Sequence, residues 1–398
     1  MNKSGEKPTI ALVSNTSWSL YNFRLGLIKK LLKEGYRVLA IAPKDKYTGL
    51  LIDNGCDFES IELDNYGSNP IRDFKSFLTF RKIYRRQKID FIFHYTIKPN
   101  IYGSLAAFTR SIPSIAVVTG LGHLFTKISW KTTIAKILYK IAFLKVLQVW
   151  FLNESDASIF SQIGLVPESK IKYLPSEGVN TQHFQQYAYG ILSNSTFKFM
   201  LASRLIIEKG IREYVEAARL VRNEGFNVEF QLLGFIESAN PQGISLEKVK
   251  QWEAEGLIRY LGHTDDIRPY LKKIDCLVLP TYYREGVPRI LMEGASMQIP
   301  LIATDNIGCR QVVEDSVNGF LCQRKNPTDL ARCMKQMMIL NTEERAHFGL
   351  LGRRRVYTLY HESIIINKYL RTLRHYFNVN KKTPLSVKPI LEKNELKY

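Results

Sequence analysis

The sequence predicts an α/β protein of two domains, and three observations carry that expectation. Its 398 residues, 45% of them hydrophobic, suffice for two separate cores. A strand, helix, strand pattern opens the chain between Ile10 and Ala42, and a second spans Cys276 to Thr304. Units of that kind build parallel sheets, whose ligands gather in the crevice outside the carboxyl ends of the strands.

Composition narrows what such a protein can do. Lys and Arg total 56 against 37 Asp and Glu, a formal charge of +19, so a polyanion or an anionic membrane face is the expected neighbour. The five cysteines, Cys56, Cys276, Cys309, Cys322 and Cys333, lack zinc-like spacing and fit a reducing cytosol better than a disulfide framework. The most apolar stretch, Ile141 to Leu152, is short for a membrane span and is broken by Lys145 and Gln148. Ile10 to Val13 is too brief for a secretory leader and gives way to polar Ser14 to Ser17, so the expected location is the cytoplasm.

Taken in order, Thr9 to Val13 reads as the first strand. The helix after it carries Phe23, Leu27, Ile28, Leu31 and Leu32 at apolar positions and stops at Gly35, before the strand Tyr36 to Ala42. Between strand and helix lies a polar loop around Ser17, Trp18 and Ser19, where ligands bind in open sheets. Arg72 to Lys88 is a basic helical pattern, and Asp90 to Tyr95 is a strand with His94 near its end. Lys98, Asn100 and Tyr102 follow in the loop and helix beyond. Ile115 to Val118 is another strand, ending in Thr119, Gly120, Leu121, Gly122 and His123.

No acidic residue occurs between Asp90 and Glu154. Within that span, Trp130 to Leu144 alternates lysines with Ile134, Ile137, Leu138, Ile141 and Phe143, the makeup of a helix at a membrane interface; the alternative is a core-packed helix with a solvated lysine face. Val146 to Leu152 is a strand, Asn153 caps a helix, and Lys170 to Leu174 is the last strand of the first domain. The polar segment Thr181 to Thr196 reads as the linker.

The second domain restarts with Phe197 to Leu201. Arg204 and Lys209 follow at the strand's carboxyl end, where a guanidinium fork and an ammonium can clamp the two phosphates of a nucleotide diphosphate. Cys276 to Leu279 has the branching of a buried parallel strand; Pro280 breaks it, and the loop carries Tyr282, Tyr283, Arg284 and Glu285. Pro288 suits a first helical position, and Ile290, Leu291, Gly294 and Met297 give that helix its packing face. Glu285 and Glu293 can line one crevice, as acceptors for sugar hydroxyls, beside amides of Gly286 and Val287 that attract an anion. The alternative is that Glu293 simply pairs with Arg289, four residues earlier. Glu362 to Phe377 is a helix by period, and Asn378 to Tyr398 reads as a mobile tail.

The wording REGVPRILMEGASMQIPLIATD, from Arg284 to Asp305, resembles the donor-site signature of the retaining glycosyltransferases of family 4: two glutamates separated by seven residues, here Glu285 and Glu293. RLIIEKG, Arg204 to Gly210, resembles that family's diphosphate clamp, and YLGHTDD, Tyr260 to Asp266, its base-binding region. The resemblance implies the GT-B fold, two Rossmann-like doubly wound α/β domains facing each other across a cleft. An acceptor domain, 1–184, would be completed by the helix 362–377; a nucleotide-sugar domain would span 185–361, and 378–398 would be the tail. The resemblance implies a UDP-linked sugar donor and no metal, with Arg204 and Lys209 neutralising the leaving diphosphate. It places Glu285 on the donor sugar, Glu293 on the ribose, and Gly262, His263, Gly286 and Val287 beside the donor. His123 lies slightly beyond the position of the family's histidine near the reacting sugar.

Tyr21-Asn22-Phe23-Arg24 resembles a subgroup that builds bacterial surface polysaccharides and glycolipids. It implies an acceptor linked to polyprenyl diphosphate, taken from the inner face of an anionic membrane by a peripheral protein, with Ser17, Arg24 and Lys98 as acceptor-binding candidates. Ser17-Trp18-Ser19 stands where the family often has a glycine pair, and the alternative for Arg24 is a solvated helix arginine. Two rivals are a UDP-sugar epimerase of the same architecture, which calls for further carboxylates and histidines, and a nucleic-acid-binding protein, which leaves Glu285 and Glu293 unexplained.

Overall fold

A computed structural model describes residues 7–64, 69–120, 130–185, 196–237 and 240–382. The apolar runs become two sheets in which every ladder is parallel. The first holds β1 (Thr9–Val13), β2 (Arg37–Ala42), β3 (Asp57–Ser60), β4 (Phe91–Tyr95), β5 (Ser114–Val118), β6 (Gln148–Phe151) and β7 (Ile171–Tyr173), in the order β3-β2-β1-β4-β5-β6-β7. The second holds β8 (Phe197–Ala202), β9 (Val228–Leu233), β10 (Arg259–Tyr260), β11 (Cys276–Leu279), β12 (Leu301–Thr304) and β13 (Gly319–Cys322), in the order β10-β9-β8-β11-β12-β13. Strand order reverses between β1 and β4 in one sheet and between β8 and β11 in the other. At such switch points the loops leaving adjacent strands diverge and a crevice opens.

Central strands β1, β4, β5, β11 and β12 are buried along their whole length, as expected of strands covered on both faces by helices. Fully burying one Leu, Ile or Phe in such a core stabilises it by about 1.5–3 kcal/mol. The edge strands β3 and β10 read DFES and RY, too polar and short to be recognised by hydrophobicity. In the helix Ser17–Lys33, Leu20, Leu27, Ile28 and Leu31 face the sheet, while Thr16 caps its start by accepting from the Ser19 amide. Pro288 is the cap of the helix Arg289–Ser296, one place before the first helical position expected for it. The helix Trp130–Lys145 buries Tyr139, Ala142 and Phe143, so it is core-packed, yet Ile134, Ile137, Ile141 and Leu144 remain exposed beside its lysines.

Two crossings connect the halves, and they lie side by side. The Val179 amide donates to Tyr360 O at 2.9 Å, and the Glu362 amide donates to Val179 O at 3.0 Å. The helix Glu362–Lys382 then packs against Ser17–Lys33. Its Tyr369 ring meets Phe93 and Trp150 with centroids 4.7 and 4.8 Å away, and Arg374 pairs with Glu34 at 2.7 Å. Among the described residues no helix is long and apolar enough to cross a membrane.

Candidate functional site

The carboxyl ends of the two sheets face a shared cavity of about 2920 Å³. Small-molecule pockets are typically about 300–1,000 Å³, so there is room for a nucleotide sugar and a second substrate together. Arg204, Lys209, Glu285 and Glu293 all line it.

Glycine makes the second switch point possible. Gly210, left-handed at φ +77°, would place a Cβ 2.0 Å from the Pro280 carbonyl oxygen, and Gly234 would place one 1.7 Å from the Ser203 oxygen. Side chains there would force the loops after β8, β9 and β11 apart. With the loops in contact, the Glu208 carbonyl accepts from the amides of Tyr282 at 2.9 Å and Tyr283 at 3.0 Å and from the Thr281 hydroxyl at 3.2 Å. That brings Lys209 Nζ within 2.6 Å of Glu285 Oε1, both side chains largely shielded from solvent. Arg204, more exposed, pairs with Glu237 at 3.3 Å.

Glu293 satisfies both of its sequence readings. It accepts from Arg289 Nε at 2.7 Å and it lines the cavity. Burial pushes its carboxyl above the ordinary glutamate range, with Arg289 pulling the other way. Arg289 also donates to the Gly178 carbonyl at 3.2 Å and lies 4.9 Å from the centroid of Phe23, so it ties the second half to the first. Gly286 performs a similar junction without a side chain: a Cβ there would fall 2.8 Å from both the Leu152 side chain and the Thr119 carbonyl. Val287, buried beside it, also lines the cavity.

Other expected residues fall differently. His263 lines the cavity and packs edge-on to Phe235, centroids 5.8 Å apart. Gly262 does not line it; its carbonyl accepts from the Gly234 amide at 2.7 Å and it sits at φ +73°, so it forms the turn instead of touching the cleft. Ser17 is likewise displaced from the role expected of it. Fully buried, it donates to the Pro43 carbonyl at 2.7 Å and faces away from the cavity.

The solvated alternative for Arg24 is overturned: it is 5% exposed, donates to Glu177 at 2.5 Å and lies 4.3 Å from the centroid of Tyr95, on the cavity wall. Burial lowers its pKa and Glu177 raises it, with a net upward shift. Lys98 lines the cavity too, held by Asp73 at 2.5 Å. His123 lies outside the described residues.

Sequence reasoning missed the bridge across the rim. Lys46 Nζ and Tyr47 Oη, from the first half, reach Asp265 of the second at 2.7 and 2.5 Å, and these contacts hold the Asp265 carboxyl below its usual range. Nothing local signals a contact between residues 218 apart. Chemically, the cavity offers cations for a diphosphate, carboxylates for hydroxyl groups and a second wall for another substrate.

Comparisons with known proteins bear on the family and the fold. Residues 9–153 match the family model described as glycosyl transferase 4-like, and residues 196–339 match the one described as glycosyl transferases group 1. The N,N'-diacetylbacillosaminyl-diphospho-undecaprenol alpha-1,3-N-acetylgalactosaminyltransferase of Campylobacter jejuni is 29% identical over 91% of this chain and 97% of its own. The UDP-Gal:alpha-D-GlcNAc-diphosphoundecaprenol alpha-1,3-galactosyltransferase of Escherichia coli is 26% identical over 64% of this chain and 67% of its own. Among solved structures, Anabaena HepE in complex with UDP and glucose superposes with a TM-score of 0.75 at 19% identity, covering 91% of this chain and 98% of that one. At that identity the likeness bears on fold alone, and the fold is GT-B.

Proposed function

The chain belongs to the glycosyl transferases of the group 1 and 4-like families, and on that premise we propose which transfer it carries out. It moves a hexose or N-acetylhexosamine from a UDP-sugar, with retention, to a sugar linked through diphosphate to a polyprenyl lipid. The observation that carries this reading is the convergence of Arg204, Lys209, Glu285 and Glu293 on one cavity wall, opposite a wall containing Arg24 and Lys98.

Arg204 and Lys209 neutralise the departing diphosphate, which other transferases leave to a metal ion. For that, Lys209 must exchange its carboxylate partner for phosphate oxygens, and the freed Glu285 takes hydroxyls of the donor sugar. Glu293 accepts from the ribose, the amides of Gly286 and Val287 lie beside the phosphates, and the loop at His263 and Phe235 receives the base. Arg24 and Lys98 face the acceptor; Ser17 has no part. Residues 1–184 with the helix 362–377 serve the acceptor, and 185–361 serve the donor. The names of the relatives support the substrates: one contains UDP-Gal, and both contain a sugar on diphosphoundecaprenol. Those relatives are transferases, which leaves the epimerase reading without support.

The protein works at the inner face of the cell membrane. Ile71, Phe74 and Leu78 project from the helix Pro70–Arg86 among arginines and lysines, Ile134, Ile137 and Ile141 project from the helix Trp130–Lys145, and both helices border the cavity. Apolar side chains ringed by cations suit an anionic lipid surface. The test is transfer from a panel of UDP-sugars to undecaprenyl-diphosphate-linked N-acetylglucosamine in anionic vesicles, with the anomeric configuration of the product read by NMR. Inversion, or turnover of free sugars alone, would overturn the proposal.

A further inference from the structure

We propose that the cavity continues as an apolar trough between the helices Pro70–Arg86 and Trp130–Lys145, and that this trough seats the first isoprene units of the acceptor's polyprenyl chain. The inference rests on the reading of the acceptor given above and names the part of the molecule that recognises its lipid.

The two helices divide their apolar side chains between two faces. Ile71, Leu78, Ile137 and Ile141 are exposed and lie off the cavity wall, on the side given above to the membrane. Phe74 and Phe77 line the cavity together with Pro70 and Asp73, the i, i+3, i+4, i+7 spacing of a single helical stripe. From the second helix Ile134 and Leu138, one turn apart, line it as well. A surface that only touched a membrane would use the outer residues and have no need of this inner stripe.

The segment between β4 and β5 supplies the floor. Pro99–Gly103 winds as a π-helical turn and runs into the helix Ser104–Phe108, and both pieces pack against the two flanking helices. Tyr102 and Leu105 of this segment line the cavity and are half-buried, as are Phe77 and Leu138 on the walls. Phe74 and Phe77 present neighbouring rings, centroids 6.1 Å apart. Phe74 is 61% exposed and Ile134 46%, so the trough opens to solvent between them. Each of these side chains keeps surface that a chain lying in the cavity can cover.

Charge decides the occupant. Lys98 Nζ lies 2.5 Å from Asp73, the residue before Phe74, and the Tyr102 hydroxyl donates to the same carboxylate at 3.0 Å. A cation thus abuts the apolar stripe, with Arg24 elsewhere on the same cavity wall. Hydrocarbon followed at once by negative charge is the makeup of a prenyl diphosphate. Its chain gains by leaving water for phenylalanine, leucine and isoleucine side chains, and its phosphates gain a charge-assisted partner in Lys98. A second copy of this chain, itself strongly basic, offers the trough no such complement.

Acceptors carrying N-acetylglucosamine on the diphosphate of farnesol or of methanol, used in solution without vesicles, separate chain binding from membrane docking. The wild type should show an acceptor KM roughly 10- to 100-fold lower for the farnesyl compound. Phe74→Ser/Leu138→Ser should remove most of that difference; if this variant loses its unfolding transition, Phe74→Ser/Ile134→Ser, at exposed positions, takes its place. Equal KM values in the wild type, or a preference that survives in the variant, would overturn the trough. So would a dimer in sedimentation that Phe74→Ser/Ile134→Ser dissolves, because a second copy would then fill it. If the wild type transfers to neither compound, the reading of the acceptor fails, and the trough is judged by calorimetric titration of farnesyl diphosphate and methyl diphosphate. A farnesyl preference that the variant loses sustains it; equal binding, or none, refutes it.

Discussion

The two switch points of this molecule share a topology and a pairing of charges, and the first adds neutral polar groups. Between β8 and β11 the cavity wall is charged and its charges are already partnered, Lys209 with Glu285 at 2.6 Å and Arg204 with Glu237 at 3.3 Å. Between β1 and β4 the wall also carries partnered cations, Arg24 with Glu177 and Lys98 with Asp73, both at 2.5 Å, and adds at Thr96 and Asn100 shielded oxygens without partners among the described residues. The difference follows from desolvation. A bare shielded charge costs several kcal/mol, so a site for a diphosphate must hold its cations in pairs that the ligand can exchange. A neutral oxygen without a partner costs only about 1–3 kcal/mol, so it can remain unpaired. On this account exchangeable ion pairs on both walls serve the diphosphates of donor and acceptor alike.

The largest effect should come from breaking the charged side. Lys209→Met leaves Glu285 shielded and alone, and should cost about 3–5 kcal/mol in denaturant unfolding as well as about 10³-fold in donor kcat/KM. Adding Glu285→Leu should restore much of the stability and none of the activity. Arg204→Ala separates the two consequences: its pair with Glu237 is more exposed, so unfolding should change by less than about 1 kcal/mol while kcat/KM falls about 10²-fold.

A smaller effect should appear with pH. Burial holds the Glu293 carboxyl above its ordinary range, so it begins to gain a proton at a pH where an exposed glutamate is still ionised. Donor affinity that needs the carboxylate is therefore complete at high pH and declines as pH falls towards that raised value. Donor KM should rise in the wild type as pH falls from neutral towards the ordinary glutamate range and stay flat in Glu293→Gln; a flat wild-type profile would remove the ribose contact. The weakest perturbation is Asp265→Asn at the rim. Its ion-pair partner Lys46 is solvent-exposed and the amide can still accept from the buried Tyr47, so KM should shift only about 2- to 3-fold, and added salt should mask the change.

Much of the charged side was legible in the sequence, because Arg204, Lys209, Glu285 and Glu293 each sit within a short strand, loop, helix unit. Spacing places such residues on one crevice regardless of what the rest of the chain does. The neutral groups at the first switch point were not legible. Thr96 carries no glycine to announce its left-handed backbone, and the orphan oxygen of Asn100 is visible only once Val117 has taken its amide. Ser17 misled because it stands one residue beyond the cap, where the helix turns its hydroxyl towards Pro43. Arg24 was ambiguous for another reason: its carboxylate partner, Glu177, is 153 residues away, and no local pattern reports such a pair.

The claim on which everything else depends is that the second switch point grips a nucleotide through its diphosphate. Calorimetric titration of UDP and of uridine into the wild type and an Arg204→Ala/Lys209→Met variant tests it directly. The account predicts at least a ~100-fold preference for UDP in the wild type, about 2.7 kcal/mol, and its disappearance in the variant. Equal affinity for the two ligands in the wild type, or a preference that survives in the variant, would contradict it.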